Sequence, residues 1–169
     1  MEGTLGYDIL RVFTAAEIAA NSPNCNIPPL GTKTFDGRPG KGYRFVKATT
    51  AWSAGDIIIR DYAGADEPNS CAPCSAVSQP IAGVAASTVP INGAGWIQIE
   101  GEFLTVACAA STAGQMVGTT ATVGRGTGIT FAGAPTQAEG LALMAATQAI
   151  RITALDVAAA NVVQAVLHS

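Results

Sequence analysis

Short apolar runs separated by turn-forming residues recur along most of this chain. The best patterned are Trp96–Glu100 and Glu102–Ala107, which read as two strands joined by a single glycine, Gly101. A small Ala/Ser/Thr segment, the Ala113-Gly114 turn and another apolar run follow. Upstream, Thr32–Phe35 and Tyr43–Lys47 flank a turn at Asp36-Gly37 and the loop Arg38-Pro-Gly-Lys-Gly42. Ile57–Ile59 is a β-branched run suited to a pleated surface. Pro80–Val89 reads as a short strand broken at Gly83, and Ile150–Leu155 and Val162–Leu167 read as closing strands. Helix signals are few. Thr14 and Glu17 fit a capping box over Ala15–Ala20, stopped by Asn21-Ser-Pro23. Residues 136–150 are rich in alanine and other helix formers, against the strand signals around them. The pattern predicts a mainly β chain, a small sandwich or barrel with at most one or two short helices.

The first 30 residues stand apart. Leu5, Tyr7, Ile9, Leu10, Val12 and Phe13 make an apolar segment without clear period. It needs cover, either as a core strand or as an arm docked on a partner. Ile27-Pro-Pro-Leu30 is stiff and extended. The expected division is therefore an N-terminal arm and linker over 1–30 and a β-rich domain over 31–169. The six apolar residues of the arm, together with Trp96, are the candidate partner-binding residues.

Two pieces of the chain resemble each other. Lys47–Ile58 aligns with Val106–Val117, sharing Ala48/Ala107, Ala51/Ala110, Ala54/Ala113 and Gly55/Gly114. Both read strand, small loop, Ala-Gly turn, strand, which predicts two hairpin-like units.

Composition sharpens this picture. Charged residues are only 12% of the 169, whereas hydrophobic residues are 49%. Soluble domains carry roughly a quarter charged residues. So charge-poor a surface predicts burial against neighbours in an oligomer or larger assembly. The net charge of −3 and dispersed basic residues argue against a nucleic-acid partner. One loose basic group, Lys33, Arg38, Lys41, Arg44 and Lys47, reads as a solvated face or as a contact with an acidic partner. Met1-Glu2-Gly3 does not open a signal peptide. Phe103–Gly124 is uncharged but too rich in Thr, Ser, Gly and Gln for hydrocarbon, so no membrane partner is expected.

Candidate chemistry is sparse. Cys71-Ala-Pro-Cys74 lies in what reads as a polar loop over 61–79. A thiol pair or loop-closing disulfide ranks first, half a zinc site second and a redox dithiol last, because no βα context or second pair accompanies it. Cys108 reads as a buried thiol. Glu100 and Glu102 read as a solvent-facing strand edge around a bend at Gly101. Gly124-Arg-Gly-Thr-Gly128 reads as a turn, not a phosphate loop. His168 stands next to the last residue, without a nucleophile pattern around it. No catalytic residue, metal or cofactor is expected.

Pro80-Ile-Ala-Gly-Val-Ala85, Gly95-Trp-Ile-Gln-Ile-Glu-Gly101, Thr105-Val-Ala107 and Ala113-Gly114 resemble the pattern of tailed-bacteriophage capsid decoration (cement) proteins. Leu30-Gly-Thr32, Tyr43–Ala48 and Ala54-Gly55 are similar to their first half, so the resemblance spans roughly residues 30–117. It implies a β-tulip-like domain with an extended N-terminal arm and no enzymatic activity. It also implies a structural virion protein, made in the host cytoplasm and bound to the outer capsid surface. Its partners would be the major capsid protein and itself, as a dimer or trimer, and it would stabilise the lattice against internal DNA pressure. The alternative expectation is a tail or fibre adhesin domain that binds a host surface glycan.

Overall fold

The computed structural model describes residues 6–20, 26–36, 40–63, 69–77, 79–108, 111, 115–129, 151–159 and 162–168. The chain is mainly β, with one short helix among the described residues and a closed five-stranded barrel. The helix α1 is Ala15–Ala20. The strands are β1 Lys33–Asp36, β2 Lys41–Ala48, β3 Ile57–Arg60, β4 Ser70–Pro73, β5 Ile81–Ala85, β6 Ala94–Ala107, β7 Met116–Thr119, β8 Gly126–Gly128, β9 Arg151–Ala159 and β10 Val162–His168.

The barrel closes in the order β2-β4-β3-β5-β6 and back to β2. All its ladders are antiparallel except β2–β4, where Lys47 and Ala48 run parallel to Ser70 and Cys71. One hydrophobic cluster takes a side chain from every barrel strand: Val46 and Ala48, Cys71, Ile58, Ala85 and Ile97. That membership defines the barrel interior. Trp52 and Val89, joined by an isolated bridge, belong to the same cluster. Neighbouring residues on the same strands point outward and are buried too. Ile57 and Val84 face a second cluster with Val106, Cys108, Val117 and Leu167. Tyr43, Phe45 and Trp96 face a third. The unbroken apolar run Ile57–Ile59 has this origin, since a strand buried on both faces cannot alternate.

Strand β6 belongs to both halves of the molecule. Its first half pairs with β2 and β5, and its second half, Gly101 to Ala107, pairs with β10. From β10 the sheet continues through β9 and β7 to β8, and a Cys108–Gly126 bridge brings β8 back beside the end of β6. The expected pair of strands separated by Gly101 is thus one kinked strand of 14 residues.

Three features build the kink. Gly42 pairs with Glu100 and Tyr43 with Gln98, so Ile99 is an extra residue on β6. Gly101 has φ +88°, and a Cβ there would run into the backbone carbonyl of Gly40. Gln98 is 1% exposed and donates its side-chain amide to the carbonyls of Glu100 (2.9 Å) and Glu102 (3.0 Å), one on each side of the glycine. The buried amide thus ties together the backbone on the two sides of the bend and is itself satisfied by it.

Two expectations are corrected. Cys71 lies on a barrel strand, β4, and not in a loop. The matched pieces Lys47–Ile58 and Val106–Val117 are not hairpins: β4 separates β2 from β3, and β10 and β9 separate β6 from β7. The connection after β2 crosses the barrel end instead of folding back, held by the Trp52–Val89 bridge and by the Gly55 N–H donating to the Ala85 carbonyl at 2.9 Å. Ala113-Gly114 and the helix-forming stretch 136–150 lie outside the described residues.

Gly101→Ala should cost at least about 2 kcal/mol, because it combines a left-handed backbone with a backbone clash. Gly6 has nothing within 4 Å of an added Cβ, so Gly6→Ala should stay within about 0.5 kcal/mol. Urea unfolding of both variants tests this pair; equal midpoints would contradict the role given to Gly101.

Candidate functional site

The N-terminal segment lies along the outer face of the barrel's β2–β6 pair. Phe13 and Ala94 exchange backbone hydrogen bonds of 2.9 and 2.8 Å. Phe13 is 2% exposed, and its ring meets Phe45 edge-on with centroids 5.7 Å apart. Trp96 stacks at a tilt on Phe45 (5.1 Å) and on Tyr7 (5.4 Å). Aromatic pairs in this range favour tilted and edge-on contacts because of the ring quadrupole. The Arg11 guanidinium sits 4.7 Å from the centre of the Phe13 ring. Ile9, Ile18, Ile27 and Leu30 pack around these rings, and Val12 leans on the cluster of the barrel interior.

The capping box sets the start of α1. Glu17 Oε2 accepts from the Thr14 N–H at 2.7 Å and from its hydroxyl at 2.8 Å, while Thr14 Oγ1 accepts from the Glu17 N–H at 3.3 Å. These bonds from Thr14 hold the Glu17 carboxyl below its ordinary range.

The residues expected to bind a partner therefore have unlike positions. Phe13 and Trp96 are buried within their own chain, Tyr7, Ile9 and Val12 are half-buried, and Leu10 is 66% exposed. Leu5 lies outside the described residues. Between the segment and the barrel is a cleft of about 210 Å³, with Trp96 and Phe13 in its wall and Asp8 and Arg11 at its polar side.

The thiols have a different setting. Cys71, Cys74 and Cys108 are free and buried. Cys71 points into the barrel interior, whereas Cys74 belongs to the cluster between the barrel and β7 and β10. The three-residue spacing thus puts them on opposite sides of the barrel wall. Burial pushes both thiols up to about 11. Cys74 Sγ donates to the Arg125 carbonyl at 3.2 Å. The glycine-dense turn beside it is tightly packed: Gly124 has φ +72°, its N–H donates to the Cys74 carbonyl and its own carbonyl accepts from the Ile57 N–H, both at 2.8 Å. A Cβ on Gly124 would press on the Asp56 carboxylate. Burial raises the Asp56 pKa, opposed by the hydrogen bond from the Ser53 N–H and by the charge of Arg125.

Glu100 is half-buried and Glu102 exposed, and it is their backbone carbonyls that the structure uses, through Gln98. Sequence reasoning missed Gln98 as the residue that fixes the bend. A polar side chain inside an otherwise apolar strand was the available signal. Among the described residues, no group of three or more His, Cys, Asp or Glu is placed to hold a metal ion, and no helix is long and apolar enough to cross a membrane. Set against family models, curated proteins and solved structures, the chain matches none.

Phe13→Ala should destabilise the fold by about 3–5 kcal/mol, as for other buried aromatics. Leu10→Ala should cost about 0.5 kcal/mol or less. Thermal or urea unfolding distinguishes the two; a silent Phe13→Ala would mean that the segment is not part of the core.

A thiol reagent at pH 8 should leave Cys71 and Cys74 unmodified until the protein unfolds. Their folded pKa values lie above the unfolded one, so the unfolded chain releases these protons first. Stability should therefore fall as pH rises from 9 to about 11 and level off above that. Fast labelling of the native protein would contradict this placement.

Proposed function

We propose that this chain is a structural virion protein of the capsid-decoration kind. It binds the outside of a phage head as a dimer or trimer and holds neighbouring major capsid subunits together against internal DNA pressure. The observation that carries this reading is its surface. In a chain with only 12% charged residues, Leu10, Phe35, Tyr62, Val77, Ile91 and Val123 are each at least 58% exposed. Such side chains gain free energy when an assembly covers them, about 25 cal/mol per Å² of apolar surface. The sequence pieces similar to decoration proteins add support: Ile81–Ala85 and Gly95–Gly101 fall on the neighbouring barrel strands β5 and β6.

The energetic mechanism is mass action. A protein that binds the assembled lattice and not free subunits stabilises the lattice, and many copies act together. The adhesin alternative would look first to the aromatic cleft for a face open to a sugar, and the cleft does not offer one on its tryptophan. Trp96, in the wall of the aromatic cleft, is 1% exposed, with Tyr7 and Phe45 stacked on it.

Heads carrying the protein should release DNA at a higher temperature than heads lacking it, and adding back purified protein should restore the difference. Equal release temperatures would defeat the proposal.

A further inference from the structure

The stretch that holds β1 and β2 is the most basic part of the sequence. Residues 33–47 hold five of the chain's nine Lys and Arg (Lys33, Arg38, Lys41, Arg44 and Lys47) against a single acid, Asp36, in a protein of net charge −3. Among the described residues β1 pairs with β2 alone, which leaves its outer edge open. The Phe45 N–H donates to the Thr32 carbonyl at 2.9 Å, which sets the alternation along the ladder. Thr34 then faces Tyr43 as a hydrogen-bonded pair, and the N–H and C=O groups of Lys33 and Phe35 turn outward.

The charges on β1 and the facing strand β2 are unbalanced as well. Lys33 stands directly opposite Arg44 in a close, non-hydrogen-bonded pair, and like charges in that position repel. Arg44 donates one guanidinium N–H to Asn69 Oδ1 at 2.7 Å, but its Nε is buried without a hydrogen-bond partner among the described residues. On the same face, Phe35 is 68% exposed.

We propose that the free edge of β1 receives an extended, acidic segment of a second protein as an added strand. The segment's backbone would pair with Lys33 and Phe35, a carboxylate would relieve the Lys33–Arg44 repulsion, and an apolar side chain would cover Phe35. Main-chain pairing supplies affinity in this mode and side-chain pockets supply specificity. A second copy of the same edge is disfavoured, because it would bring Lys33 against basic neighbours. The inference does not depend on the capsid reading, and its test requires no phage head.

The probe is a synthetic eight-residue peptide alternating Glu and Val, titrated into the full chain while backbone amides are followed by NMR and hydrogen exchange. The expected result is saturable binding with slowed exchange at the Lys33 and Phe35 amides, and none with a Lys/Val peptide. Lys33→Glu should weaken binding at least tenfold. Phe35→Pro removes an outward N–H, leaves the β2 ladder intact and should abolish the protection; if that variant loses its β circular-dichroism signal, Lys33→Glu alone decides. Unchanged β1 amides would overturn the proposal and leave Lys33 as a guard against edge aggregation. Wild-type affinity in Lys33→Glu would also overturn it, as would tighter binding of single-stranded oligothymidylate to the same hairpin.

Discussion

Everything in this molecule hangs on the bend in β6. A straight strand of 14 residues would extend beyond a barrel this small and leave half its ladder unpaired. Bulged at Ile99 and turned through Gly101, the same strand closes the barrel with its first half and starts the second sheet with its other half. The buried Gln98 amide donates to a carbonyl on each side of the bend and so holds its two halves together. Three neighbouring residues thus replace what would otherwise need a separate linker between two sheets.

That economy explains the hydrophobicity of the chain. Barrel strands buried on one face only would alternate. Here the inner face fills the barrel, while the outer face is covered on one side by the second sheet and on the other by the N-terminal segment. Consecutive residues such as Ile57 and Ile58 are both buried, and even the cysteines of the Cys-Ala-Pro-Cys run serve two different clusters. Their raised pKa values follow from this burial and suit packing better than thiol chemistry.

Much of the fold was legible in the sequence. Turn residues and short apolar runs located most strands, and the Thr14–Glu17 capping box located the helix at Ala15–Ala20. The β4 strand was not legible, because Ser70–Pro73 is a serine, a cysteine, an alanine and a proline in place of large β-formers; its burial comes from the barrel around it. The matched Ala-Gly pieces misled, since a local turn signal does not tell which strand the chain will pair with next. The N-terminal segment was ambiguous for a related reason: apolar character without period says that a surface must be covered, not by what. The Phe13–Ala94 pairing and the Tyr7–Trp96 contact show that its own barrel covers much of it. The basic cluster was visible as composition, but the placement of Lys33 on the outermost strand, across from Arg44, required the register.

The proposed role rests on the exposed apolar side chains of a charge-poor chain. A residue-resolution map of an intact phage particle carrying this protein tests that most directly. The account predicts the barrel on the outer face of the head, in two or three symmetry-related copies, with exposed apolar residues such as Phe35, Tyr62 or Val123 against major capsid subunits. Finding the chain at a tail or fibre tip, or finding those side chains open to solvent on the head, would contradict it.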